Sequence, residues 1–132
     1  VTVLEAVGDY LQAQGQGTLG TNLFLAVMPE SPDACVCVFE TAGFAPQFTM
    51  GSAAMAVDQP GLQVICRAAR GDYPGARDKA DAIRRLLGAV LEQTISTVHI
   101  MRIAPDGGVL PMGEDENGCP MVSVNFSCQV RP

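Results

Sequence analysis

Between Val122 and Val130 the chain alternates without interruption. Val122, Val124, Phe126, Cys128 and Val130 take every second place, and Ser123, Asn125, Ser127 and Gln129 stand between them. Successive side chains of a strand point to opposite faces, so this period defines a β-strand with one apolar face and one small, charge-free polar face. An apolar strand face has to be covered, so the fold needs a sheet and a second layer. The preceding Asp115-Glu116-Asn117-Gly118 has turn chemistry. Asn-Gly tolerates positive φ at both central positions of a tight hairpin. The strand is therefore expected to enter from an acidic hairpin tip.

Two segments carry helical spacing. Val3, Val7, Tyr10 and Leu11, flanked by Leu4, form an apolar stripe that Gly15 or Gly17 ends. Ala76, Ala80, Ile83, Leu87, Val90 and Leu91 form a second stripe. Asp72 and Pro74 suit its start, and Asp78, Lys79, Asp81, Arg84 and Arg85 decorate its outer side. Gly88 inside that helix would permit close backbone approach.

Strands are expected over 22–28, 34–40, 61–69 and 97–104, with a short edge segment around Pro111. Cys35, Cys37 and Phe39 share one face of the second, and Val36 and Val38 share the other. Both are apolar, as in a strand covered on two sides. Thr41 to Met55 shows no period and reads as a long irregular loop. A short strand over 55–58 would follow, then a turn at Gln59-Pro60-Gly61.

The expectation is an α+β fold: a mainly antiparallel β-sheet with two amphipathic helices packed on it. One domain spans 1–132, with a long loop at about 41–55. A chain of 132 residues, 48% hydrophobic and 17% charged, can bury one core. With no Trp and 5% aromatic residues that core must be aliphatic.

The search for chemistry excludes more than it finds. A net charge of −6 argues against gripping nucleic acid, which needs clustered Lys and Arg. It is compatible with DNA passing nearby, because an acidic surface repels it. No apolar run is long enough for a membrane span, and the acidic start lacks a signal-like block, so a cytoplasmic origin is the default. The five cysteines include no CxxC, and in a reduced protein they read as small buried hydrophobes. The G-x-G at Gly15 follows a helix, whereas a dinucleotide site needs a strand before it. Ser52 lacks the second glycine of a nucleophile elbow. His99 sits inside an alternating strand, where a histidine is most often exposed or already satisfied. Glu114 to Glu116 lack the spaced oxygens of a calcium loop.

No catalytic residue, cofactor or metal ligand is therefore expected, and no enzyme. What remains is surface. The apolar side chains of the 41–55 segment (Phe44, Phe48, Met50, Met55) and the hairpin tip (Asp115, Glu116, Asn117) are the expected partner contacts.

Three blocks, "TLGTNLFLAVMPESPDACVCVFETAG", "PGLQVICRA" and "GEDENGCPMVSVNF", stand in order along the chain. Together they resemble the minor capsid protein family of tailed bacteriophages. In size and element order the chain is similar to tail terminator proteins of long-tailed phages, over roughly Leu4 to Val130. Cys119-Pro120 departs from that pattern, and the proline predicts a shifted first hairpin hydrogen bond.

The resemblance implies a structural virion protein, made in the host cytoplasm and placed at the head–tail junction. It implies a homohexameric ring on the tail tube that stops tube growth and presents the tail to the head connector. DNA would pass the lumen without sequence-specific binding, and no membrane is involved. The partners implied are the major tail tube protein and a connector or head-closure protein. Two rival readings are a head-side minor capsid or head-closure role, and a small cytoplasmic enzyme or ligand-binding domain using His99 and the acids.

Overall fold

A computed structural model describes residues 2–48, 50 and 55–131. The elements run α1 (Val3–Ala13), β1 (Leu23–Leu25), β2 (Cys35–Phe48), β3 (Met55–Arg67), α2 (Tyr73–Gly88), β4 (Leu91–Ile95), β5 (Val98–Pro105), β6 (Leu110–Glu114) and β7 (Pro120–Arg131). The seven strands form one sheet in the order β1-β2-β3-β7-β5-β4, with β6 paired to β7. β1 runs parallel to β2, and every other pairing is antiparallel. The α+β class follows directly.

The alternating strand is the centre of this sheet. β7 lies between β3 and β5, and Val122, Val124, Phe126, Cys128 and Val130 all enter the main core. Val64 and Val38 continue the row of Val124 across the sheet, and Cys66 and Val36 continue that of Val122. Both helices cover this face. α1 contributes Ala6, Val7 and Leu11, and α2 contributes Ala76, Ala80, Ile83 and Leu87.

Local signals set the helix ends. Thr2 Oγ1 accepts the Glu5 N–H at 3.2 Å while the Glu5 carboxylate accepts from the Thr2 N–H, a reciprocal capping box. Asp72 caps α2 by accepting the Gly75 N–H at 3.1 Å, with Pro74 in the first turn as expected.

Three local expectations need correcting. The second helix stops at Gly88, earlier than its stripe suggested. Val90 is still buried, but Leu91 is 68% exposed and opens the edge strand β4. Close approach at Gly88 is to Pro105 of β5, 3.4 Å from where a Cβ would sit.

Next, residues 41–48 are not an irregular loop but the outer half of β2, and Gln59-Pro60-Gly61 is not a turn but part of β3. The register shows why the period was unreadable. Thr41 pairs with Gly61 and Phe44 with Gln59, so Ala42 and Gly43 oppose Pro60 alone. A second irregularity sets Ala45 and Pro46 against Asp58. Each proline sits at a bulge, where a missing N–H costs no ladder bond. Gly43 has φ 65, and a Cβ there would collide with the backbone of 59–61. Residues 49 and 51–54 of the expected loop lie outside the described residues.

The third correction concerns turns. In 115–118 only Gly118 has positive φ (77), and the Gly118 N–H donates to Asp115 O at 3.1 Å, so the tip is a four-residue turn. The tight two-residue hairpin is elsewhere, between β4 and β5. Ile95 pairs with Val98, leaving Ser96 (φ 47) and Thr97 (φ 71) as the whole loop.

Candidate assembly surface

Past the last β3–β7 pair, Asp58 with Val130, β2 and β3 run on as a two-stranded arm that ends at Phe48 and Met55, with Phe44, paired with Gln59, at its base. Among the described residues β1 pairs only with Val36, Cys37 and Val38, so beyond Val38 no described strand pairs with the outer edge of β2. From Glu40 to Phe48 β2 is exposed, with Pro46 alone half-buried, while Val57 to Pro60 of β3 are half-buried. Phe44 is 64% exposed, Phe48 56% and Met50 99%. Met55 pairs with Phe48 across the arm, so the expected apolar residues share one structure. Bulges and proline blunt the arm's free backbone edge, which leaves exposed aromatic side chains as the groups it presents. Phe44 also borders a 250 Å³ hollow with Gln59, Arg102, Asp106 and the polar β7 residues Ser127 and Gln129.

The acidic tip is built differently. Asp115 Oδ1 accepts from the N–H groups of Asn117 and Cys119, both at 2.9 Å. The Asp115 N–H closes the hairpin onto Cys119 O at 3.0 Å, one residue before Pro120. Those amide donors, above all Cys119, hold the Asp115 carboxyl below its ordinary range, and Arg67 adds to the effect. Asp115 is therefore bound inward, while Glu116 and Asn117 stay exposed. Asp33, Arg70 and 114–118 line a cleft of about 590 Å³ here.

Arg67, which falls within the strand expected over 61–69, organises this end. It is 6% exposed. Its Nε donates to Asp33 O at 2.9 Å, and its Nη2 donates to Pro29 O at 2.6 Å and Pro32 O at 2.8 Å. The 29–33 turn thus folds over the sheet face opposite the helices and closes around one guanidinium. The signal available in sequence was the doubly apolar Cys35–Val38 segment, which demanded cover on both faces.

The two candidate contacts are far apart. β3 and β7 pair Arg67 with Met121 near the tip and Asp58 with Val130 near the arm. That separation along β7 is roughly 30 Å of extended chain.

His99 is not brought to Glu114, Asp115 or Glu116. It pairs with Arg131, at the opposite end of β7 from the tip. Its Nε2 lies 2.8 Å from Glu92 Oε2 and its Nδ1 lies 3.2 Å from Thr94 Oγ1, both on the neighbouring edge strand. Cys35, Cys37, Cys66, Cys119 and Cys128 are all free and buried. Among the described residues no group of three or more His, Cys, Asp or Glu side chains is placed to hold a metal ion. Among them, too, no helix is long and apolar enough to cross a membrane.

Reactive side chains drawn into the fold, with apolar and acidic groups left outside at opposite ends, define an assembly subunit. The family of bacteriophage tail terminator proteins matches residues 10–132, and the chain belongs to that family. A search among curated proteins finds no match. The protein is thus a structural component of a phage tail. Family membership removes the motive for an enzyme built on His99, and of the two labels the resemblance carried, it supports terminator.

Proposed function

We propose that the protein ends the phage tail as a homohexameric ring on the head-proximal face of the tail tube, stopping tube growth and presenting the tail to the head connector. The whole chain acts as one domain. The observation that carries this reading is bipolarity. An exposed apolar arm and an acidic tip stand at opposite ends of one sheet, so a subunit has distinct surfaces for different neighbours. Such heterologous contacts close into rings when the rotation between copies closes. Phe44, Phe48, Met50 and Met55 meet the tube protein or the adjacent copy, and Glu116 and Asn117 reach the rim, with Asp115 holding the turn. The net negative charge suits a lumen that DNA traverses without being held.

The test replaces Phe44, Phe48 and Met50 together by Ser and adds the purified variant to polymerising tail tube protein. Wild type is expected to give tubes that stop growing. The variant, folded by circular dichroism, is expected to leave tubes of uncontrolled length. A folded variant that still caps tubes overturns the role of the arm. Particles lacking the protein that show complete tails and DNA-leaking heads overturn the tail-side placement.

A further inference from the structure

β6 has no part in the arm, and among the described residues it pairs with β7 alone. All five of its residues are exposed, Leu110 to 57% and Met112 to 43%. These two side chains make a second apolar surface, and Glu114 ends the same strand. Glu116 follows in the exposed tip. Among the described residues neither acid has a basic side chain within ion-pair distance.

The arm end shows the converse. Phe44 borders the same hollow as Arg102. Arg131 follows Val130, the partner of Asp58 at the arm's base. Both arginines are exposed, and among the described residues neither forms an ion pair. Acids at this end are engaged or turned away. Asp106 accepts from the Ser127 hydroxyl, and Glu92 contacts His99. Asp58 and Glu40 pair with Val130 and Leu62, whose side chains enter the core, so both lie on the helix side of the sheet.

Apolar beside cation at one end thus matches apolar beside anion at the other. β2 and β6 flank the β3–β7 pair on opposite sides, so the two surfaces stand on opposite edges as well as opposite ends. From Ser123, the partner of Leu110, to Val130 β7 runs about 23 Å, so one chain cannot join its own two surfaces.

We propose that the arm of each copy packs Phe44 and Phe48 on Leu110 and Met112 of the next copy, with Arg102 and Arg131 facing Glu114 and Glu116. The inference rests on the ring proposed above and names the neighbour that the arm meets. An apolar centre with a charged rim is the ordinary anatomy of a specific interface, and opposite charges set its orientation. Pro111 in β6 and the bulged, proline-bearing β2 are unsuited to continuous strand pairing, so side chains make the contact. The contact is heterologous. Each copy keeps one surface of each kind for its other neighbour, and the series ends only on closure. Tube protein seated on the arm would leave Leu110 and Met112 uncovered, whereas a second copy covers both surfaces at every step.

The experiment replaces Phe48 by the photoreactive residue p-benzoylphenylalanine, lets the variant cap tubes of tail tube protein, irradiates them and maps the adducts by peptide mass spectrometry. The expected result is a ladder of linked chains longer than the dimer, with adducts in 109–114 of a second copy. The same probe at Leu110 is expected to mark Phe44, Phe48 or Met50 of a second copy. Adducts elsewhere in a second copy, or a ladder that stops at the dimer, overturn the proposal. Charge exchange tests it without the probe. Arg102→Glu with Arg131→Glu, and Glu114→Lys with Glu116→Lys, each folded by circular dichroism, are expected to lose capping alone and to regain it in equal mixture. Capping by either alone, or none by the mixture, overturns the proposal. Wild type that leaves tubes growing overturns the ring reading and this contact with it, whereas adducts on the tube protein at capped ends overturn the contact alone.

Discussion

The Arg67 guanidinium lies 3.6 Å from the Asp115 carboxylate, Nη1 to Oδ2, with 4% of the arginine side chain exposed and 18% of the aspartate. This pair joins the β3 end to the hairpin tip, and the same guanidinium binds three carbonyls of the 29–33 turn. A planar fork can serve these directions at once, but a lysine ammonium cannot. Arg67→Lys is expected to cost about 2–4 kcal/mol in denaturant unfolding. Hydrogen exchange should rise together in 29–33 and 115–119. Wild-type stability in the variant would show that the guanidinium does not hold this end.

Asp115 makes this end sensitive to acid. Its folded pKa is depressed by the amides of Cys119 and Asn117. Such a group contributes stability above its unfolded pKa of about 3.9, and the contribution is lost as pH falls through the lower folded value. Tm followed from pH 7 to pH 2 should therefore drop more steeply below about pH 4 in wild type than in Asp115→Asn. Parallel curves in that window would refute the assignment.

Ser123 carries the opposite sign. It is 1% exposed on the face away from the helices, and among the described residues its Oγ has no hydrogen-bond partner. A buried hydroxyl without a partner costs about 1–3 kcal/mol of desolvation. Ser123→Ala is expected to raise unfolding free energy by about 1 kcal/mol, since the small void left by oxygen offsets part of the gain. A loss of stability would mean that the hydroxyl is satisfied in solution.

The β4–β5 turn stores strain. Thr97 is β-branched at φ 71, and Ser96 stands at φ 47. A non-glycine residue held there costs about 1–3 kcal/mol, whereas glycine adds about 0.5–1 kcal/mol of unfolded-state entropy. Thr97→Gly is thus expected to stabilise by up to about 1 kcal/mol and raise Tm by a few degrees. Ser96 is better left in place, because its Oγ donates to Asp9 Oδ2 of α1 at 2.8 Å. An unchanged or lower Tm in Thr97→Gly would show that the turn is relaxed.

Local pattern was readable wherever one face of an element is buried. The period of Val122 to Val130 specified both the strand and its core face, because a one-residue slip would turn all its apolar side chains outward. Ala76, Ala80, Ile83 and Leu87 specified α2 for the same reason, and Asp72 with Pro74 specified its start. The exposed apolar residues Phe44, Phe48 and Met50 could also be picked out, but not the arm that carries them.

The arm was hidden because β2 from Glu40 onward buries neither face, so no period marks it, and the prolines at its bulges mimic a loop. Arg67 was hidden because only pairing across β2, β3 and β7 brings the 29–33 turn and the 115–119 tip around it. The turn at Ser96-Thr97 lacks the usual glycine or asparagine, so its conformation comes from the strands it joins rather than from its own residues. By itself the sequence determined an aliphatic α+β core and a charge-poor β7 face, since periodicity is a property of neighbours along the chain, and three blocks in order carried the resemblance to a phage family. Only the tertiary structure decided that the apolar arm and the acidic tip stand at opposite ends, and that Cys35 faces Arg67. Both follow from strand register, which is a property of pairings distant in sequence.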